Sequence, residues 1–204
     1  MRKEALFLFA GLLLFAFAVI LLLLPVDHLL NQYDTRLLYI LNGQRLEMLD
    51  PFWIWVSKTT FYISFSIPLG LFLYSLRYKL PALRMKSYFV FLSWAISVII
   101  LNILKHTIDR PRPFRVLEGI EKLSAGGSPS FPSGHTLEAF TVISAVLLLF
   151  AVPRWLKPVL VIWALMVAYT RICLGVHYPS DVLAGIGLGI FISCSTICFF
   201  VRPE

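Results

Sequence analysis

Charged side chains are scarce in this chain, since Asp, Glu, Lys and Arg together make up 14% of its 204 residues. Hydrophobic residues make up 59%, and the mean hydropathy is +0.83. A soluble globular domain needs more polar surface than this composition supplies. The chain is therefore predicted to lie in a lipid bilayer.

The few cysteines do not suggest a metal site or disulfides, and the scattered basic residues do not suggest a nucleic-acid-binding surface. Cys173, Cys194 and Cys198 lie in apolar stretches without the spacing of metal ligands, so we expect them to fill the core without forming disulfides. The net charge of +7 is divided among short loops and forms no continuous patch. We therefore expect no nucleic acid as a partner, and the sequence indicates no obligate protein partner.

Long apolar runs dominate what is present, and we count six that approach the roughly 20 residues a helix needs to cross a bilayer. They cover about residues 5–24, 52–76, 87–106, 133–152, 155–174 and 180–201. The first run is too long for a signal peptide and lacks a small-residue cleavage site, so we interpret it as an anchor. Residues 26–51 show near-helical apolar spacing that predicts an interfacial helix. The predicted fold class is all-α, a six-transmembrane-helix bundle forming one domain over residues 1–204.

Basic residues predict the orientation of the bundle. If the N-terminus is inside, every inner loop is basic, as the positive-inside rule requires. These inner residues are Arg2, Lys3, the loop from Arg77 to Lys86, Arg154, Lys157 and Arg202. We predict a multi-pass protein of the plasma (cytoplasmic) membrane with both termini in the cytoplasm. The end of the third span, the start of the fourth and the joint between the fifth and sixth then open on the outer face.

Polar residues concentrate at these three places. They are Lys105 and Arg112 around the end of the third span, Ser133, Gly134 and His135 at the start of the fourth, and Arg171, His177 and Asp181 at the last joint. Unpaired amides at a helix start attract anions, and we expect those of Ser133, Gly134 and His135 to do so. Cations, amides and two histidines suit a phosphoryl group undergoing in-line displacement. A lipid phosphate that slides between the helices from the leaflet is the natural substrate of such a site.

The joint from Thr170 to Asp181 carries the predicted reactive pair. Gly175 permits a break after the fifth span, and Pro179 suits the first turn of the next helix. The helix dipole favours an ionised carboxylate in this turn, so Asp181 can accept a proton from one ring nitrogen of His177. The other ring nitrogen would then be free to attack.

Three motifs occur in a characteristic order: Lys105-x6-Arg112-Pro113, Pro132-Ser133-Gly134-His135 and Arg171-x5-His177-x3-Asp181. Together they resemble the signature of the type 2 phosphatidic acid phosphatase superfamily. The signature-bearing core covers about residues 87–201. Thr170 stands where the family usually has a serine, and the hydroxyl group is retained.

The resemblance implies a role for each motif residue. His177 would attack phosphorus to give a phosphohistidine, with Asp181 fixing its tautomer. His135 would protonate the leaving oxygen and then activate water. The phosphate oxygens would be held by Lys105, Arg112, Ser133, Gly134 and Arg171. These donors would replace the charge of a metal, so we expect a magnesium-independent phosphatase without cofactors.

Several charged residues lie outside the signature. Lys58 and Glu138 are predicted at similar depths in the membrane, where they would form an ion pair under the pocket, or Lys58 would contact the lipid headgroup. Arg110 and Arg115 are expected to extend toward lipid headgroups, and Asp109 to neutralise a neighbouring arginine.

The residues leave several substrates and functions open. A phosphomonoester such as phosphatidylglycerol phosphate or phosphatidic acid is the first candidate, and undecaprenyl pyrophosphate is the alternative. A lipid phosphotransferase would pass the phosphoryl group to another hydroxyl. A transporter or binder of anionic lipid is less favoured, because the sequence shows no internal repeat.

Overall fold

The computed structural model describes residues 8, 9, 11–13, 15, 16, 19, 29–127 and 129–200, and all regular structure among them is helical. The elements are α1 (Leu29–Gly43), a 3-10 turn (Glu47–Leu49), α2 (Asp50–Arg77), α3 (Pro81–Ile108), the short α4 (Pro113–Val116), α5 (Gly134–Leu149), α6 (Leu156–Cys173) and α7 (Pro179–Phe200). The predicted all-α class is therefore confirmed for the described part of the chain.

Four helical stretches are long and apolar enough to cross a membrane. They are Glu47–Arg77, Pro81–Val116, Leu156–Cys173 and Pro179–Phe199, which correspond to the predicted second, third, fifth and sixth spans. The first predicted span, at residues 5–24, lies largely outside the described residues. The helices found are those of a membrane protein.

The fourth predicted span is shorter than expected. Instead of reaching residue 152, α5 ends at Leu149 after 16 residues, and the backbone is extended at Phe150. Sixteen residues of α-helix rise only about 24 Å. Pro153 disfavours helical conformation at Val152, the predicted last residue of this span, and α5 ends before that residue. Contacts with α3, α6 and α7 surround this short helix, so protein covers much of its surface.

The closest helix packing lies between α5 and α7. Gly185 and Gly189 share one face of α7, and a Cβ atom added at either would lie within 2.9 Å of a carbonyl oxygen in or just before α5. Glycines at this four-residue spacing let two transmembrane helices approach closely. The start of α5 is thereby held against the start of α7.

The chain after α3 turns back across one end of the bundle. Asp109 ends the helix in the left-handed conformation, with φ of 47°, and its amide donates to the Lys105 carbonyl at 3.0 Å. The returning segment is anchored where the Ser130 amide donates to the Arg110 carbonyl at 2.8 Å. The ends of α3, α5, α6 and α7 are thus gathered at one place.

Helix α1 packs across this same end of the bundle. The buried Asn42 side chain donates to the Cys173 carbonyl at 2.8 Å and accepts from the Glu121 amide at 3.1 Å. Arg45 pairs with Asp50 at 3.0 Å and also with Glu121. The helix predicted within residues 26–51 is therefore present, and it ties the loop before α5 to the end of α6.

Gly189→Ala is expected to destabilise the bundle. The added Cβ would lie 2.8 Å from the Leu137 carbonyl oxygen and 3.0 Å from the Thr141 amide nitrogen, so the helices would have to separate. Such overpacking costs about 1–3 kcal/mol, which should lower the midpoint of thermal unfolding in detergent. Gly70→Ala is the matched control, because a Cβ there meets nothing within 4 Å. Equal shifts in both variants would contradict this account of the α5–α7 contact.

Candidate active site

The joint between α6 and α7 presents His177 to the interior. Gly175 adopts φ of 71°, which reverses the chain after α6. The amides of Val176 and His177 then both donate to the Arg171 carbonyl, at 3.2 and 3.0 Å. These bonds close the end of α6 and hold the His177 backbone in place.

The carboxylate of Asp181, in the first turn of α7, is fully buried. Its Oδ1 accepts from Arg110 Nη1 at 2.5 Å, and its Oδ2 accepts from the Tyr178 amide at 2.9 Å and from the Ser130 hydroxyl. A buried charge is costly unless it is paired and hydrogen-bonded, and here both conditions hold. Asp181 is therefore an ionised carboxylate beside His177.

The two ring nitrogens of His177 have different neighbours. Nδ1 lies 3.4 Å from Asp181 Oδ2, and Nε2 lies 3.3 Å from Arg112 Nη1. A guanidinium group can only donate, so the contact requires a lone pair on Nε2 and places the hydrogen on Nδ1. This tautomer leaves Nε2 as the basic nitrogen.

Burial keeps the His177 imidazole neutral. Removal from water lowers the pKa of His177 to about 3, against the opposing effect of the hydrogen bond to Asp181. At neutral pH the unprotonated form therefore predominates. A neutral imidazole with an available Nε2 has the character of a nucleophile.

Three buried cations lie around this imidazole: Lys105, Arg112 and Arg171. They interact electrostatically with one another, and Asp181 is the nearby carboxylate. The guanidinium of Arg112 lies against Gly126, where an added Cβ would approach its Nη1 to 2.6 Å. Hydrogen bonds hold each cation in place. Lys105 donates to the Pro129 carbonyl, and Arg112 donates to the Val176 carbonyl at 3.0 Å. Arg171 donates to the Ser57 hydroxyl and, at 3.2 Å, to the Ser124 hydroxyl. So much buried positive charge favours the binding of an anion.

Arg171 retains a donor for such an anion. The side chain is almost fully buried, yet its Nε–H has no hydrogen-bond partner among the described residues. A buried donor without an acceptor costs about 1–3 kcal/mol. An oxygen of a bound phosphoryl group would satisfy it.

The start of α5 differs in part from the sequence prediction. The Ser133 amide is not available to a ligand, because it donates to the Asp181 carbonyl at 3.0 Å, and the Ser133 hydroxyl lies 2.9 Å from that of Thr136. A Cβ at Gly134 would meet Leu101 at 3.0 Å, so this glycine also permits close packing against α3. Within the described chain, the amides of Gly134 and His135 make no hydrogen bond. These two amides are the donors available to an anion.

His135 belongs to the same cluster and also opens onto a cavity. It interacts electrostatically with His177, with Arg171, and with the cations of the α3 end. The cavity has a volume of about 470 Å³ and is lined by Ile54, Ser57, Lys58, Lys122, Leu123, Ser124, Ala125 and His135. The three segments that carry the predicted motifs therefore meet in the structure. His135 lies between their charged cluster and the cavity.

Comparison with known proteins identifies the family. Residues 86–203, more than half of the chain, match the family model described as the PAP2 superfamily. The chain belongs to the PAP2 superfamily. The resemblance to the type 2 phosphatidic acid phosphatases is thus confirmed.

Two curated relatives and one solved structure illustrate the likeness. An undecaprenyl-diphosphatase of Sulfolobus acidocaldarius is 36% identical over 103 residues, covering 50% of this chain and 49% of the relative. A lipid A 1-phosphatase of Rhizobium johnstonii is 32% identical over 119 residues, covering 56% and 48%. The chain therefore spans about half the length of these relatives. The crystal structure of a transmembrane PAP2 type phosphatidylglycerolphosphate phosphatase from Bacillus subtilis superposes with a TM-score of 0.72 over 95% of this chain and 98% of that one, and at 21% identity the likeness is one of fold.

The predicted ion pair between Lys58 and Glu138 is not formed in this PAP2 structure. Lys58 is exposed and lines the cavity, whereas the carboxyl group of Glu138 lies near the indole nitrogen of Trp94. Lys58 thus belongs to the cavity, and Glu138 packs among the helices.

Arg110 was assigned wrongly from the sequence, where it was expected to extend toward lipid headgroups. It lies beneath the PAP2 motifs instead, bonded to Asp181 at 2.5 Å and to Asp34 at 3.2 Å, with its Cζ 3.9 Å from the Tyr178 ring centroid. Asp109 is exposed and pairs with no arginine in the described chain. Arg115 is exposed and donates to the Gly127 carbonyl at 3.0 Å, and its extension toward lipid headgroups stays a prediction.

Asp34 and Ser130 were not predicted as site residues at all. Asp34 lies in α1, roughly seventy residues before the first motif, and Ser130 lies in the irregular loop before α5. Neither has a sequence pattern that marks it. Each reaches Asp181, directly or through Arg110, only because the chain folds back on itself.

His177→Asn is expected to flatten the acid dependence of stability. The folded pKa of His177 is about 3 and the ordinary value is 6.5, so between these values the unfolded chain binds a proton that the folded chain does not. Stability is therefore lost as pH falls from 6.5 toward 3. The midpoint of thermal unfolding in detergent should fall less steeply over this range in His177→Asn than in the wild type. His106→Asn, at an exposed histidine, should follow the wild type, and parallel curves for all three proteins would contradict the assignment.

Proposed function

We propose that this PAP2 protein is a membrane phosphatase that transfers the phosphoryl group of a lipid phosphate first to His177 and then to water. The observation that carries the proposal is the state of His177, whose neutral imidazole directs a basic Nε2 toward buried cations. A side chain that accepts a phosphoryl group needs an unprotonated nitrogen to attack phosphorus. Buried positive charge stabilises the negative charge of the phosphoryl group during its transfer.

In the first step Nε2 of His177 forms a bond to phosphorus, and the bond from phosphorus to the lipid oxygen breaks. The imidazole becomes a positively charged phosphohistidine, which Asp181 stabilises through Nδ1–H. The negative charge of a bound phosphate favours a protonated His135, which takes up a proton from water as the substrate binds. His135 then donates this proton to the departing oxygen, so the lipid leaves as an alcohol, or as a phosphate if the substrate is a diphosphate.

In the second step His135, now neutral, accepts a proton from a water molecule. The water oxygen forms a bond to phosphorus, and the bond to Nε2 breaks. Inorganic phosphate is released, His177 is neutral again, and His135 is again protonated. One substrate and one water are thus converted into one lipid product and one phosphate.

The charge that a phosphoryl group carries through both steps is met by side chains. Lys105, Arg112 and Arg171 are already buried beside His177, and the free Nε–H of Arg171 supplies a further bond. The amides of Gly134 and His135 add neutral donors at the start of α5. These groups supply the stabilisation that a metal supplies in other phosphatases, so neither step calls for one.

For the substrate we propose a lipid phosphate drawn from the membrane leaflet. The basic residues of the predicted inner loops favour a site at the outer face of the plasma membrane. A phosphomonoester such as phosphatidylglycerol phosphate or phosphatidic acid fits this location. The similarity to an undecaprenyl-diphosphatase supports a polyprenyl diphosphate as a second candidate.

Trapping the phosphoenzyme tests the mechanism. With p-nitrophenyl phosphate, whose leaving group needs no proton, His135→Ala should still be phosphorylated but should hydrolyse the intermediate about 100-fold more slowly. Labelled phosphate should then accumulate on the protein in a bond that is stable to alkali and labile to acid, with a chelator present throughout. His177→Ala should take up no label, whereas His106→Ala should turn over like the wild type. Label on His177→Ala, or full loss of wild-type activity in the chelator, would refute the proposed route.

A further inference from the structure

Two lysines from distant parts of the chain line the cavity onto which His135 opens. Lys58 projects from α2, and Lys122 lies in the loop before α5. No acidic residue contributes to the lining. The cavity therefore has a positive wall in addition to the cations around His177.

Neither lysine is neutralised by a carboxylate of the described chain. Glu121, the neighbour of Lys122, pairs with Arg45 instead. The Lys122 ammonium lies 4.7 Å from the centroid of the Phe114 ring, which restricts where it can move. Both charges are thus available to a ligand in the cavity.

Because His135 lines this cavity, its proposed role indicates which part of a substrate would bind there. In the proposed mechanism His135 gives its proton to the leaving oxygen, so the groups that share its cavity face the leaving group. Lys105, Arg112 and Arg171 form the cluster around which the transferred phosphoryl group must bind, and Arg171 adjoins the cavity through Ser57 and Ser124. A phosphomonoester carries at most two negative charges, which those three cations already balance.

We propose that Lys58 and Lys122 form a subsite for a second phosphate, carried by the leaving group of the substrate. This inference rests on the proposed function and narrows it to lipids with two phosphates. A cavity of about 470 Å³ accommodates a phosphate and the beginning of a lipid chain. The lysine ammonium groups provide charge-assisted hydrogen bonds to its oxygens.

Two kinds of lipid carry a phosphate in the leaving group. In a polyprenyl diphosphate it is directly bonded to the departing oxygen, and in phosphatidylglycerol phosphate it is the phosphodiester of the headgroup. Pairs of substrates whose leaving groups carry or lack this phosphate distinguish the two sources, although the second pair below also differs by the glycerol that bears the terminal phosphate. Farnesyl diphosphate pairs with farnesyl phosphate, and phosphatidylglycerol phosphate pairs with phosphatidic acid.

The test compares kcat/KM for each pair in the wild type and in the double variant Lys58→Gln, Lys122→Gln. The ratio of kcat/KM for the two-phosphate lipid to that for its one-phosphate partner should fall about tenfold or more in at least one pair. The pair that responds identifies the source of the second phosphate. Lys157→Gln, at the opposite end of α6 from Arg171, is the matched control and should keep both ratios.

The outcomes separate the subsite from the mechanism. If the double variant keeps both ratios, or if both members of each pair lose the same factor, the lysines have no role specific to a second phosphate. If the wild type hydrolyses none of the four lipids, the proposed function is itself wrong. Equal thermal midpoints of variant and wild type would show that folding is unaffected.

A separate observation concerns helix α1. The buried carboxylate of Asp34 accepts from the Ser180 amide at 2.9 Å, from the Ser180 hydroxyl at 2.6 Å and from Arg110 at 3.2 Å. Arg110 in turn bonds Asp181 at 2.5 Å. The carboxylates of Asp34 and Asp181 thus share the guanidinium of Arg110. Through this guanidinium α1 is connected to Asp181, the carboxylate beside His177.

We infer that Asp34 is a positioning residue, which divides the charge of Arg110 between itself and Asp181. Without Asp34 the full charge of Arg110 would act on Asp181 and reduce its basicity. Asp181 would then stabilise the phosphorylated, cationic imidazole of His177 less well. Partners of this kind, one contact removed from the reacting group, commonly change activity by about 10- to 100-fold.

Asp34→Asn tests this role, because it keeps the shape of the side chain and removes its charge. We expect kcat to fall about tenfold while KM changes little, since the phosphate-binding cations are untouched. Asp34→Glu should recover part of the loss. The control Asp50→Asn breaks the corresponding ion pair with Arg45, which does not reach Asp181. A lower thermal midpoint with an unchanged kcat would show that Asp34 is merely structural and would overturn the inference.

Discussion

The structure at this end of the bundle depends on the burial of one ionised carboxylate, that of Asp181. Its negative charge, fully removed from water, must be compensated, and groups from three separate parts of the chain contribute to this. Arg110 supplies the opposite charge, Ser130 and the Tyr178 amide supply hydrogen bonds, and His177 presents Nδ1. Because an unpaired buried charge is so costly, these groups cannot separate without destabilising the fold. The orientation of His177 is a consequence of that requirement.

Positive charge is in excess around the same carboxylate. Lys105, Arg112 and Arg171 are buried with few acidic groups near them, and their hydrogen bonds go mainly to carbonyl and hydroxyl oxygens. Dipoles of this kind hold a cation in position without cancelling its charge. The fold therefore accepts an electrostatic cost in the free protein, and a bound anion would relieve it. This cost is a sign of function, because a bundle selected for stability alone would not gather three such cations.

Helix packing determines how precisely the two histidines can be held. His135 begins α5 and His177 precedes α7, and these helices approach closely along Gly185 and Gly189. The Ser133 amide is bonded to the Asp181 carbonyl across the same contact. A short, mostly buried α5 is thus fixed at its first turn to the helix that carries Asp181. His135 lies in the first turn of α5 and His177 lies two residues before α7, so both histidines are positioned by rigid helices.

Most of the fold was predictable from sequence, because the bilayer ties helix length and polarity to local composition. The helices corresponding to the second, third, fifth and sixth spans, and the helix within residues 26–51, were all recognised in this way. The fourth span was overestimated, since α5 ends at Leu149 and the apolar residues that follow it are not helical. The three motifs were visible because each is contiguous in sequence, and the structure brings their residues together, although their roles stay predictions.

What the sequence by itself determined is therefore the helices, the family and the residues that could meet at one end of the bundle. Only the tertiary structure decided that Arg110 lies beneath Asp181, that Asp34 and Ser130 belong to the same network, and that Lys58 lines a cavity apart from Glu138. These contacts join residues roughly fifty or more positions apart, and no local periodicity records which side chains will face each other at that distance. The physical reason is that a buried charge selects its partners after the helices have packed, from whichever donors the packing brings near.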